Sequence, residues 1–138
     1  MSNILVWIEQ TNGAGESIAW EAMTAARVLA NGLGGSVVAA VLGNGVDALA
    51  QQAIQRGADS VIVANDATLQ AFRLEAYAAV LSKAAQGASA VVMGASQRGL
   101  ELSAAVAALL GVGLAADCVD VAVDGGKVVA SRPGLVGN

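Results

Sequence analysis

Four apolar runs rich in β-branched residues recur along the chain, and none of them alternates apolar with polar side chains. A continuous apolar run is typical of a strand buried on both faces, as in a parallel sheet covered by helices. The runs occupy residues 4–8, 37–42, 60–63 and 90–93. We therefore predict four parallel strands, and we expect Ile62, in the middle of the third run, to be buried.

Alanine-rich stretches with the helical period follow each run. In the first, Ile18, Ala22 and Leu29 lie on one stripe that can face a sheet. The next three predicted helices cover 46–54, 74–85 and 102–110, and they end near Gly57, Gly87 and Gly111. A β-α alternation of this kind requires right-handed crossovers. The sequence thus predicts a three-layer α/β/α sandwich with a mainly parallel sheet.

The pattern changes after residue 113, where two β-rich runs flank a glycine pair, Gly125 and Gly126. Glycines between two such runs predict a β-hairpin. With 138 residues, of which 56% are hydrophobic and 13% charged, the chain has the length and core of one ordinary domain. We therefore expect residues 1–138 to form a single α/β domain with a C-terminal hairpin.

Composition excludes several classes of function. Seven basic and eleven acidic residues give a net charge of −4, which does not attract a nucleic-acid backbone. Histidine is absent, so a Ser-His-Asp triad and a His-bearing zinc site are impossible. No pair of carboxylates suggests acid-base chemistry. We expect no catalytic residues, no metal site and no enzymatic activity in this chain.

The sequence also indicates where in the cell the protein is located. The longest uncharged apolar stretch, 102–116, is shorter than the roughly 20 residues that a membrane span needs. No basic segment precedes the first apolar run, as it would in a targeting signal, and the lone Cys118 cannot form an internal disulfide. We expect a cytoplasmic protein that does not insert into a membrane.

In an open α/β sheet, ligands bind at the carboxyl ends of the strands, and four loops are predicted there: 10–15, 43–47, 64–68 and 94–99. The most suggestive is 94–99. Its candidate residues for phosphate binding are Gly94, Ser96, Arg98 and Gly99. The spacing matches no established phosphate-binding motif, so a tight turn in which Ser96 caps the next helix is the preferred interpretation.

Other polar residues near strand ends allow two interpretations each. Asn65 and Asp66 suit a helix cap better than a ribose ligand, and Asp47 suits a helix N-terminus. Glu9 ends the first run and could contact a ligand or a partner. Trp20 lies partly outside the apolar stripe of its helix, which makes it our candidate for an exposed partner-interface residue.

Several short sequence segments, taken in order along the chain, resemble the alpha subunit of the electron transfer flavoprotein family. The opening strand ends in Glu9 and leads through a glycine-containing turn to an alanine-rich helix at 21–27. Further segments similar to the alpha subunit follow in the same order at 41–47, 57–66, 94–99 and 104–113, and then at Asp117, Arg132 and Pro133. The resemblance covers nearly all of the chain and implies a fold similar to the Rossmann and adenine nucleotide alpha hydrolase folds.

The resemblance also implies a function. The chain is similar to the N-terminal domain of the alpha subunit, which serves as scaffold and subunit interface. FAD is held mainly by a C-terminal flavin-binding domain absent from this chain, so no cofactor is expected here. The implied partners are a beta subunit, with which alpha forms a heterodimer, dehydrogenases such as the acyl-CoA dehydrogenases of fatty acid beta-oxidation, and a quinone oxidoreductase.

Three other possibilities stay open at this point. The chain could be a stand-alone AMP- or ATP-binding domain, similar to universal stress proteins, that uses the loop 94–99. It could be a small α/β enzyme, although the lack of histidine argues against that. In isolation, a domain with so few charges could also form a homodimer through an apolar patch.

Overall fold

The computed structural model describes residues 3–111, 120–124 and 127–130, and it describes side chains within 3–111. Strands and helices alternate along the chain as predicted. In chain order the strands are β1 (Asn3–Trp7), β2 (Gln10–Thr11), β3 (Ala14–Gly15), β4 (Ser36–Gly43), β5 (Ser60–Asn65), β6 (Ala90–Val92), β7 (Asp120–Asp124) and β8 (Lys127–Ala130). The helices are α1 (Ser17–Leu33), α2 (Asp47–Gln55), α3 (Leu74–Ala84) and α4 (Gln97–Leu110), with a 3-10 turn at Ala67–Leu69.

Six strands form one sheet in the order β5-β4-β1-β6-β7-β8. The first four strands of this order are parallel, and they contain the four predicted apolar runs except Ile8 and Met93, which directly follow β1 and β6. β7 pairs antiparallel with β6 and with β8. The mainly parallel sheet and the C-terminal hairpin are therefore confirmed, while the predicted glycine pair, Gly125 and Gly126, lies outside the described residues.

Helices cover both faces of the sheet. Since successive side chains of a strand point to opposite faces, each central strand contributes to two cores. In β1, Ile4 and Val6 join the core beneath α1 and α2, whereas Leu5 and Trp7 join the core beneath α3 and α4. None of these four side chains is more than 2% exposed. This arrangement is the predicted three-layer α/β/α sandwich.

The helices end where the sequence predicts. Gly57 follows α2 with φ 115°, and Gly111 closes α4 with φ 70°, a left-handed conformation that glycine adopts without steric cost. The backbone N–H of Gly111 donates to the last turn of α4, which satisfies carbonyls at the helix end. Within the described residues, each helix is too short or too polar to cross a membrane.

The expectation that Ile62 is buried is wrong, since its side chain is 38% exposed. β5 is an edge strand and pairs only with β4. Val61 points toward the first core and packs against it, but Ile62 points to the opposite face, at the sheet edge. Helices α3 and α4 build their core over the neighbouring strands and leave Ile62 outside it.

The segment 10–15, predicted as a simple loop, contains a short hairpin in which β2 pairs antiparallel with β3. Asn12 and Gly13 form its turn with φ values of 53° and 84°. Two successive positive φ angles define the type I′ turn that favours Asn-Gly. The hairpin forms the connection between β1 and α1 and lies at the carboxyl edge of the sheet.

Candidate functional site

The strand order reverses beside β1. From β1 the chain proceeds outward to β4 and β5, and it then returns to place β6 on the other side of β1. Ligands of open α/β sheets bind in the crevice that such a reversal opens at the carboxyl ends of the strands. In this protein the crevice is bordered by the residues that follow β1, including Glu9, and by the loop 94–99.

Side chains from both borders of the crevice meet there. The hydroxyl of Ser96 donates a hydrogen bond of 2.5 Å to Oε1 of Glu9, which is only 7% exposed. The same hydroxyl oxygen accepts from the backbone N–H of Gly99 at 3.0 Å, so Ser96 is the N-cap of α4. The capping interpretation of Ser96 is confirmed, and Glu9 is the partner that sequence spacing did not reveal.

The two glycines of the loop are required by close packing. A Cβ on Gly99 would overlap the carbonyl oxygen of Gly94. A Cβ on Gly94 would lie 2.7 Å from a side-chain carbon of Ile18 in α1. Gly99 thus allows α4 to begin close to the backbone of Gly94, and Gly94 allows the loop to pack against α1. Neither role needs a bound phosphate.

The contacts of the other loop residues also favour capping over phosphate binding. Ser96 is already engaged, because its hydroxyl donates to Glu9 and accepts from the N–H of Gly99. Arg98, the remaining candidate of the loop, instead lies with its guanidinium carbon 5.3 Å from the ring centroid of Phe72.

The other polar residues at strand ends hold loops together. Asn65 accepts from the backbone N–H of Gly45 at 2.7 Å and donates to Asp47 at 3.5 Å, which ties the loop after β5 to the loop after β4. Asp66 accepts from both the backbone N–H and the hydroxyl of Thr68 at 2.8 Å. The Thr68 backbone N–H, followed by its hydroxyl, lowers the pKa of Asp66, and the capping interpretation of this residue is confirmed.

Sequence reasoning missed the part played by Gln10. Its amide nitrogen donates to the carbonyl of Leu42 at 3.1 Å, and its amide oxygen accepts from the backbone N–H of Gly13 at 2.7 Å. One buried side chain thereby fastens the β2-β3 hairpin to the end of β4. The dipeptide of Asn12 and Gly13 was the sequence signal that predicts such a hairpin.

Trp20 is less exposed than expected. Its ring is partly buried against the first core, and the guanidinium carbon of Arg56 lies 4.4 Å from the ring centroid. A Cβ on Gly15 would come within 2.5 Å of the Trp20 ring, so the hairpin covers part of it as well. The role of Trp20 in a partner interface stays a prediction.

Comparison with known proteins identifies the family. A family model described as the electron transfer flavoprotein domain matches residues 4–138. The chain belongs to the electron transfer flavoprotein family. This flavoprotein domain is 36% identical over 139 residues to the electron transfer flavoprotein subunit alpha of Megasphaera elsdenii, an alignment that covers 98% of the chain and 41% of the relative.

Two further relatives agree with this assignment. The domain is 33% identical over 132 residues to the electron transfer flavoprotein subunit alpha of Bacillus subtilis (94% of the chain, 40% of the relative). It is also 33% identical over 129 residues to the acryloyl-CoA reductase electron transfer subunit beta of Anaerotignum propionicum (92% and 35%). The chain thus spans about two fifths of the length of the curated relatives it matches.

Proposed function

We propose that this chain is the N-terminal scaffold and subunit-interface domain of an electron transfer flavoprotein alpha subunit. The observation that carries the proposal is the match to the family over residues 4–138, together with relatives named as alpha subunits. In this proposal the domain supports an electron carrier and has no catalytic centre of its own. Within the described residues, no three His, Cys, Asp or Glu side chains lie close enough to hold a metal ion.

We further propose that FAD belongs to the complete flavoprotein and is not held at the switch point of this domain. Two features support this. The hydroxyl of Ser96 is engaged by Glu9 and by the N–H of Gly99. Close packing accounts for the presence of Gly94 and Gly99 without a bound phosphate. The same contacts give no support to a stand-alone AMP- or ATP-binding domain.

The proposed partners follow from the same family. A beta subunit would complete the carrier as a heterodimer, dehydrogenases such as the acyl-CoA dehydrogenases would donate electrons, and a quinone oxidoreductase would accept them in the cytoplasm. The relative from Anaerotignum propionicum is named for electron transfer to an acryloyl-CoA reductase, which agrees with an acyl-CoA type of electron donor or acceptor. Near the β5 edge, Ile54 of α2 and Val63 of β5 are exposed apolar side chains available to a partner.

Co-expression with the cognate beta subunit tests the proposal. A tagged chain is expected to retain the beta subunit through affinity purification and gel filtration. Trp20→Ala is expected to weaken the complex if that ring lies in the interface, and Val28→Ala, which changes an exposed side chain of the same helix, serves as the control. A correctly folded chain that retains no beta subunit would contradict the interface role.

The flavin content gives an independent measurement. The purified chain alone is expected to be colourless, and the flavin absorbance should appear only with the complete alpha subunit and its beta partner. Stoichiometric flavin that remains on the isolated chain after gel filtration would overturn the assignment of FAD to the rest of the flavoprotein.

A further inference from the structure

A cavity of about 350 Å³ opens at the carboxyl edge of the sheet, on the side of β1 that faces α3 and α4. It lies between the β2-β3 hairpin, the segment that precedes α3, and the first turn of α4. Neither Glu9 nor Ser96 contributes to its lining. The side chains that bear on its chemistry are Trp7, Gln10, Thr11, Phe72, Tyr77 and Arg98.

Three aromatic rings form one wall of this cavity. The ring centroids of Phe72 and Tyr77 are 5.0 Å apart, and the Trp7 ring lies 6.0 Å from Phe72 and 6.2 Å from Tyr77. The Tyr77 hydroxyl donates to the carbonyl of Leu69 at 2.5 Å, which fixes that ring. The wall is therefore apolar and held in place by its own packing.

Two hydrogen-bond donors of the lining have no acceptor among the described residues. The indole N–H of Trp7 is buried and unpartnered. The guanidinium of Arg98 forms no ion pair in the described part of the chain, where the one ion pair joins Arg27 to Asp59. Indole and guanidinium groups can only donate. Arg98 is exposed, so its guanidinium is available to an acceptor on a ligand, whereas the buried Trp7 nitrogen has almost no accessible surface.

Other polar groups of the lining are already hydrogen-bonded. Both ends of the Gln10 amide form hydrogen bonds, the Thr11 hydroxyl donates to Glu16, and the Gln70 amide oxygen accepts from Asn44. Tyr77 adds no negative charge near pH 7, because the pKa of a phenol is about 10 and burial raises it further. Among the described residues, the only charge in the lining is the positive charge of Arg98.

We infer that this cavity binds a small organic anion that carries a carboxylate or phosphate on a planar apolar body. The anionic group would accept from Arg98, and the apolar body would pack against the aromatic wall, chiefly against the half-buried ring of Phe72. The volume lies at the lower end of the range for ligand pockets, which limits the ligand to a small molecule.

NMR of the ¹⁵N-labelled chain tests the inference through the indole resonance of Trp7. In a Trp20→Phe background this is the single indole signal, because the chain has two tryptophans. Benzoate and phenyl phosphate serve as anionic probes, and benzyl alcohol is the neutral control. We expect saturable shifts with at least one anion at concentrations up to about 10 mM, and no saturation with the alcohol.

Two arginine variants make the test specific. Arg98→Gln should weaken binding of the anion by about tenfold or more, because it removes a charge-assisted hydrogen bond. Arg73→Gln removes an equal charge from a neighbouring cavity that Arg98 does not line, and it should leave the affinity unchanged. Tighter binding of phenyl phosphate would identify a phosphorylated ligand, and tighter binding of benzoate a carboxylic acid.

The inference is overturned if neither anion gives a saturable shift, if the alcohol binds as well as the anions, or if Arg98→Gln binds like the parent chain. Arg98→Gln should still retain the beta subunit in co-purification. Loss of the anion site and failure of the proposed subunit role are therefore distinguishable results.

Discussion

The hydroxyl of Ser96 lies 2.5 Å from the carboxylate of Glu9, although the two residues are 87 positions apart in the chain. This hydrogen bond joins the residues that follow β1 to the start of α4, across the crevice at which the strand order reverses. The same Ser96 oxygen accepts from the N–H of Gly99. One hydroxyl thus satisfies both a helix end and a buried carboxylate.

Replacement of Ser96 measures the importance of this contact. Ser96→Ala should lower the free energy of unfolding by about 1–2 kcal/mol, because α4 loses its cap and Glu9 loses its donor. Ser96→Thr keeps a hydroxyl and should retain most of the stability. Urea unfolding followed by circular dichroism compares the variants. Equal stability of Ser96→Ala and the parent chain would show that the contact contributes nothing.

Alanine substitutions at a tightly packed glycine, Gly99, and at an open one, Gly32, test the packing of the loop 94–99. Gly99→Ala should destabilise the fold by about 3 kcal/mol, since its Cβ would overlap the carbonyl oxygen of Gly94. Gly32→Ala, near the end of α1, meets no atom within 4 Å and should stabilise the fold by about 0.5–1 kcal/mol. Thermal unfolding gives both values. Similar shifts for the two variants would be inconsistent with the packing at Gly99.

The edge position of β5 predicts a small effect at an apolar position. Ile62→Ala should cost about 1 kcal/mol, because the side chain is 38% exposed. Ile4→Ala, the same change at a residue with 0% exposure, should cost about 2–5 kcal/mol. Equilibrium unfolding in urea compares them. A loss at Ile62 as large as that at Ile4 would mean that a further element covers β5.

Acid stability should depend on Asp59. The backbone N–H of Val37, followed by the Arg27 guanidinium, lowers the pKa of this carboxyl in the folded state. Because the folded pKa is below the unfolded one, the interaction contributes stability above the unfolded pKa, and this contribution is lost as the pH falls toward the folded pKa. Asp59→Asn should therefore reduce the loss of stability below about pH 4.

Arg27→Gln distinguishes the two causes of this pH dependence. It removes the 2.9 Å ion pair with Asp59 but keeps the hydrogen bond from Val37, which has the larger effect on the pKa. Part of the acid sensitivity should therefore remain in Arg27→Gln. Melting temperatures measured between pH 3 and pH 7 test the predictions for both variants. Complete loss of the acid sensitivity in Arg27→Gln would contradict the role of Val37, and unchanged acid sensitivity in Asp59→Asn would contradict the role of Asp59.

Local patterns were sufficient for most elements of the fold. The apolar runs, the helical periodicity and the glycine stops predicted four strands, four helices and a C-terminal hairpin, because periodicity and chain termination depend on neighbours in sequence. The adjacent Asn12 and Gly13 also indicate the small β2-β3 hairpin, although their position between a strand and a helix favours a simple loop.

The sequence by itself determined the α/β alternation, the burial of β1 and β6, and the capping role of Ser96, since each depends on residues within a few positions of one another. Only the tertiary structure decided which strand lies at the sheet edge and which distant residues meet. An apolar run does not reveal how many neighbouring strands its strand has, so the sequence predicts a buried Ile62 where the structure has an exposed one at the sheet edge. The pairing of Glu9 with Ser96, and of Arg98 with Phe72, arises from the crossover that brings β6 beside β1.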